Sequence, residues 1–133
     1  EESCRSRIGA AMNPIDVAAF GHWTWTARPV EQIADGITRQ MFTGERLMIC
    51  RLSFAPGVVT SLHRHPHEQV TLVERGRVRF RVAGADREAS AGDVLFFPSG
   101  IEHGATILDE PAVLVDIFSP PRLDFLPARE KDA

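Results

Sequence analysis

The sequence lacks most of what would send a chain to a membrane, a nucleic acid or an oxidising compartment. No apolar run among its 133 residues approaches the roughly 18 that a membrane span needs. Fifteen Lys and Arg against 18 Asp and Glu give a formal net charge of −3. Without a basic excess there is no electrostatic footprint for nucleic acid or an anionic membrane. Two cysteines, Cys4 and Cys50, are too few for a disulfide framework. Residues 1–11 lack the apolar core of a signal peptide. The expectation is therefore a cytoplasmic protein with both thiols reduced. Met12 can serve as a natural start, with residues 1–11 an extension. There is no internal repeat and no low-complexity tract. A chain of this length forms one domain and buries roughly two-thirds of its unfolded surface, enough for a barrel core and one pocket.

What is present is a histidine stretch, His63-Arg64-His65-Pro66-His67-Glu68-Gln69. Side chains two apart on a strand share a face. His63, His65, His67 and Gln69 would then project together, unless Pro66 breaks the pattern. The apolar, β-branched residues 70–73 that follow support a strand. Imidazoles in a row are the usual ligands of a first-row transition metal. By parity His67 is a fifth candidate beside a wall or supporting role, and Glu68 points to the opposite face.

The rest of the chain reads as short strands punctuated by Gly and Pro. Asn13-Pro14 starts a short helical turn running to Phe20. His22-Trp23-Thr24-Trp25 is a strand or extended arm, with the tryptophans covering the barrel or a dimer seam. Strands are expected at 37–42 and 47–54, joined by a hairpin turn at 43–46. Residues 77–83 alternate, with Val78, Phe80 and Val82 inward and Arg77, Arg79 and Arg81 outward. That arginine row is a solvated face balanced by Glu74, Asp86 and Glu88. Further strands are expected at 94–97, 105–108 and 113–118, the last two forming a closing hairpin around Asp109-Glu110-Pro111. Residues 128–133 are polar and expected to fray. The pattern is all-β, an antiparallel barrel or jelly roll. Asp116 and Phe118 share one face of the last strand. Periodicity leaves open whether that face is the interior or the outside.

The spacing resembles a known family. Gly57, His63, His65, Gln69 and Gly76 are separated by five, one, three and six residues, the first cupin motif with Gln where Glu is usual. Gly92, Pro98, Gly100 and His103 are separated by five, one and two residues, the second motif; its closing Asn falls on Ile107. The chain thus resembles a single-domain cupin, a jelly-roll β-barrel (double-stranded β-helix). Its barrel would occupy residues 35–126, after an N-terminal extension and arm at 1–34 and before a disordered tail at 127–133. The implied metal ligands are His63, His65, Gln69 and His103. Three imidazoles and an amide oxygen carry no charge, so a divalent ion held by them keeps its full charge and attracts anionic oxygen. They do not match a two-histidine, one-carboxylate oxygenase.

A narrower resemblance lies in Asp35-Gly36-Ile37, Glu45-Arg46-Leu47-Met48, His65-Pro66-His67-Glu68-Gln69 and the tail from Val115 to Leu126, with its Asp116-Ile117-Phe118-Ser119-Pro120-Pro121-Arg122 run. These are similar to the KdgF-type cupins of pectin and alginate breakdown. That resemblance implies ring opening of 4,5-unsaturated monouronates to the linear keto form, one divalent ion (Ni, Zn, Fe or Mn), a small anionic substrate, and Asp116, Phe118 and Arg122 as catalytic-pocket residues. Thr71-Leu72-Val73-Glu74-Arg75 replaces a tyrosine-containing run, and the chain has no tyrosine. The alternatives are a dioxygenase with three-histidine iron and a non-catalytic metabolite-binding cupin. A homodimer is expected, since small cupins pair across two-fold axes.

Overall fold

The structure, a computed structural model, describes residues 20–127. The helical turn expected from Asn13, the extension at 1–11, Cys4 and the tail at 128–133 lie outside the described residues. Nine strands follow in order: β1 Glu31–Ala34, β2 Ile37–Thr43, β3 Met48–Phe54, β4 Glu68–Arg75, β5 Arg77–Val82, β6 Ala85–Ser90, β7 Val94–Phe97, β8 His103–Ile107 and β9 Ala112–Ser119. They form two antiparallel sheets, one of six strands in the order β1-β2-β3-β9-β4-β7 and one of three in the order β6-β5-β8. This is the all-β jelly roll that the turn spacing implies. Among the described residues no helix is long and apolar enough to cross a membrane.

Between the sheets, Phe54, Val73, Val78, Phe80, Phe97, Ile107 and Leu114 form one apolar cluster. Met48, Cys50 and Phe118 form a second, covered by Met41, Leu52, Phe125 and Leu126. The tail thus packs across one end of the barrel. On β5, Val78 and Phe80 are buried while Arg79 and Arg81 are exposed, as period-2 alternation requires. The arginine face is neutralised locally: Arg77 pairs with Glu88 at 2.6 Å and Asp109 at 3.0 Å, and Arg81 with Asp86 at 2.8 Å. Glu74 instead pairs with Arg51 on the larger sheet, at 2.9 Å.

Of the strand or extended arm expected at 22–25, the structure has the arm, which runs into a 3₁₀ turn, Trp25–Ala27, with the Trp23 ring packed on Phe42 at 4.5 Å. Two local expectations are corrected. The segment before residue 35 contributes a strand, β1, paired with β2. The stretches at 105–108 and 113–118 do not pair with each other. β8 pairs with β5 in the small sheet, and β9 sits between β3 and β4 in the large one. The connection at Asp109-Glu110-Pro111 crosses between sheets rather than closing a hairpin.

Candidate metal centre

The histidines are not presented by one strand. Regular β4 pairing begins at Glu68, after a bend at Pro66 and His67. Upstream, His63 makes an isolated bridge with His103: the His63 amide donates to the His103 carbonyl at 3.0 Å, and the His103 amide returns a bond at 2.9 Å. The Gly100 amide donates to the His65 carbonyl at 2.8 Å. These backbone bonds tie the two histidine motifs together.

Each of the three rings is oriented by a main-chain carbonyl. Nδ1 of His63 lies 3.0 Å from the Ser61 oxygen, Nδ1 of His65 3.1 Å from that of His67, and Nδ1 of His103 3.0 Å from that of Ile101. A carbonyl only accepts, so each Nδ1 carries the proton and each Nε2 is left with its lone pair. One ligand nitrogen from each of His63, His65 and His103 lies within 4.8 Å of the others. His103 Nε2 is buried without a hydrogen-bond partner, and Phe97 stacks on its ring at 4.6 Å. Burial pushes the His103 imidazole down to about 4. Burial, then the nearby Arg122 charge, lowers His65 as well. Both rings therefore stay neutral, as ligation demands.

Gln69 lies beside this cluster. Its Oε1 faces His65 Nε2 at 3.1 Å. Two lone pairs confronting each other in a buried site repel unless a cation lies between them. The spacing suits two neighbouring donors on one ion, about 3 Å apart for bonds of about 2.1 Å at right angles. The residues present therefore fit a divalent first-row ion. His67 does not join the cluster. Its carbonyl orients His65, its ring Nδ1 is buried without a hydrogen-bond partner, and it lines a separate recess with Pro120, Pro121 and Asp124.

A cavity of about 270 Å³ opens beside the histidines, lined by His63, His103, Gln69, Thr71, Asp116, Phe118, Arg122 and Phe125 among others. It is slightly below the roughly 300–1,000 Å³ of drug-sized pockets, so it suits a ligand of monosaccharide size. Asp116 faces this cavity from β9, resolving what periodicity left open. The Thr71 hydroxyl donates to Asp116 Oδ1 at 2.6 Å. Desolvation pushes the Asp116 carboxyl up to about 6, against the lowering effects of the Thr71 bond, the Arg122 charge and a bond from Gln69. Phe118 meets His65 edge-on at 5.8 Å. The Arg122 guanidinium lies over Phe118 at 5.2 Å and Phe125 at 4.3 Å. Its Nε and Nη2 donate to Asp124 at 3.0 and 2.8 Å.

Thr71, Phe125 and Asp124 are the site residues that the sequence reading missed. Thr71 follows Gln69 by two on a strand, so parity alone places it on the ligand face. Phe125 and Asp124 had no such signal, because the tail folds as a 3₁₀ turn, Leu123–Phe125.

Comparison with known proteins agrees with this geometry. Residues 50–118 match the family model described as Cupin domain. The pectin degradation protein KdgF of Dickeya dadantii is 36% identical over 100 residues, covering 74% of this chain and 91% of that protein. The crystal structure of an RmlC-like cupin from Shewanella frigidimarina superposes with a TM-score of 0.75 at 33% identity, over 80% of this chain and 97% of that one. The structure of KdgF from a Halomonas species superposes with a TM-score of 0.77 at 28% identity, over 81% and 100%. A two-sheet barrel that brings both histidine motifs to one cavity, and a family match across that barrel, make the same assignment: this chain belongs to the cupins, and among them it is similar to KdgF.

Proposed function

We propose that this cupin is a metal-dependent enzyme that opens 4,5-unsaturated monouronates to their linear keto form. The observation that carries the reading is the placement of Asp116 and Arg122 on the same small cavity as the three-imidazole cluster. The name of the similar KdgF protein, pectin degradation, points to the same substrate class. His63, His65, His103 and Gln69 would hold the ion, which, when bound, supplies a Lewis acid that polarises substrate oxygens.

The remaining roles belong to the chain. Arg122 receives the uronate carboxylate with the donors that Asp124 leaves free, a match of planar fork to planar anion. Phe118 packs on the sugar ring. Asp116 moves the proton. Opening the hemiacetal breaks the bond between C1 and the ring oxygen, turns C1 into an aldehyde as its hydroxyl proton passes to that oxygen, and leaves an enol whose double bond lies between C4 and C5. Asp116 accepts the enol proton and returns it to C4, so the product is an isomer and nothing is oxidised. A carboxyl near 6 is suited to both halves of that transfer near neutral pH. A dioxygenase has no need of Asp116 with Arg122, and a binding module has no turnover to lose.

The test is the loss of the 4,5-double-bond absorbance of an unsaturated monouronate. Asp116→Asn keeps the shape but cannot take up a proton. Its turnover should fall by roughly 100- to 10,000-fold, while elemental analysis still finds close to one divalent ion per chain. His103→Ala should empty the site. If wild type does not exceed buffer, the uronate reading is wrong. Equal rates for wild type and Asp116→Asn would remove the carboxylate from the mechanism.

A further inference from the structure

We infer that Thr71 is a positioning residue that fixes the polarity of the Gln69 side chain, turning its amide oxygen toward the histidine cluster. The inference rests on the reading of Gln69 as a metal donor. An amide has two faces of similar shape, and only one of them can ligate a cation. Something must therefore select it.

The hydrogen bonds make that selection. Thr71 is 0% exposed, so its hydroxyl has no access to bulk water. Its Oγ1 lies 2.6 Å from Asp116 Oδ1 and 2.9 Å from Gln69 Nε2. A carboxylate only accepts, so the single hydroxyl proton goes to Asp116. The remaining lone pair of Oγ1 then needs a donor, and the Gln69 NH₂ is the group that faces it. With the NH₂ held there, Gln69 Oε1 is the atom left 3.1 Å from His65 Nε2. The opposite amide orientation would set an oxygen against the Thr71 lone pair and point two N–H groups at the metal position. Thr71 acts through Gln69 and is not itself a donor to the ion. The same hydroxyl joins the metal donor to the proposed proton carrier, so one β4 side chain holds both.

Cobalt(II) serves as the probe, followed by competition against a chelating dye and by its visible spectrum. Loss of partners that orient metal ligands typically costs about 10- to 100-fold in affinity. Thr71→Val should weaken cobalt binding by about tenfold, the lower end of that range. Its visible bands should shift as the amide oxygen is lost. Thr71→Ala removes the same hydroxyl without crowding and should behave alike. Thr71→Ser restores the hydroxyl and should restore both affinity and spectrum. Gln69→Ala should lose at least as much as Thr71→Val. If Gln69→Ala weakens binding and neither Thr71→Val nor Thr71→Ala does, the role of Thr71 is wrong and the ligand assignment stands. If Gln69→Ala binds cobalt as wild type does, the ligand assignment fails and the role of Thr71 fails with it.

Discussion

Asp116 is the carboxyl whose ionisation the fold disfavours. It sits on β9 between Cys50 of β3 and Thr71 of β4. Burial, and the neighbouring Asp116 charge, push the Cys50 thiol up to about 12, so that sulfur is inert packing. For Asp116 itself, burial raises the folded value to about 6 from 3.8. A folded value above the unfolded one means that ionisation opposes folding. The stability is intact below pH 4 and is lost as pH rises through about 6. At 1.36 kcal/mol per unit the penalty reaches at most about 3 kcal/mol. Asn at this position still accepts from Thr71 and has no charge to bury. In chelator-stripped protein, Asp116→Asn should therefore match wild type in Tm near pH 4 and exceed it by about 5 °C or more at pH 8. A Tm difference that stays flat across that range would mean the carboxylate is already well solvated. Sequence periodicity could not place this residue, for a physical reason. β9 is a central strand whose residues 112–115 are all buried. With both faces covered, alternation carries no signal.

Among the elements, the strands that the sequence reveals are those with apolar residues to bury, the covered central strand β9 included. β5 alternates cleanly and β2 and β3 form the expected hairpin. β1 was missed because it is wholly exposed, leaving no apolar stripe to read. The three histidines converge although their segment is not a regular strand, since Pro66 cannot donate to a ladder. The ligands were legible in the spacing because the motif glycines fix the turns, yet those glycines are not equivalent. Gly57 and Gly76 both have positive φ, +81° and +88°. A Cβ on Gly57 would meet nothing within 4 Å, whereas one on Gly76 would meet the Pro111 oxygen at 2.5 Å and the Ala112 Cα at 2.8 Å. Those are backbone atoms at the start of β9 and cannot swing aside. Gly57→Ala should cost only the left-handed penalty, about 1–2 kcal/mol. Gly76→Ala should add an overpacking cost of about 1–3 kcal/mol. Urea titration of the two variants checks the ordering, and equal midpoints would show that the β4–β5 corner yields.

For the molecule as a whole, the open question is what covers the outer face of the larger sheet. The register places Phe42, Ile49, Ile117, Val70 and Phe96 side by side across five strands. Leu72 and Val94 stand beside them. At one end of this row the Trp23 ring lies on Phe42, with the Arg28 guanidinium 5.1 Å from the Trp23 ring centroid. Of the two roles expected for Trp23, covering the barrel or a dimer seam, its ring takes the first. At the other end no described residue covers the apolar surface in that way: Val94 is 65% and Phe96 57% exposed, both on β7, an edge strand of that sheet. An apolar patch on an unpaired edge favours self-association, and a two-fold axis lets one patch meet its copy. The expected outcome is a homodimer built on the β7 end of the sheet rather than on the tryptophan arm. Light scattering at micromolar concentration should give twice the monomer mass. Phe96→Glu should halve that mass while leaving Tm close to wild type, because Phe96 lies outside the barrel clusters. Replacing Trp23 should lower Tm through its lost contact with Phe42 and leave the mass doubled. A monomeric wild type would refute the dimer outright. A dimer that survives Phe96→Glu but not the loss of Trp23 would return the interface to the arm.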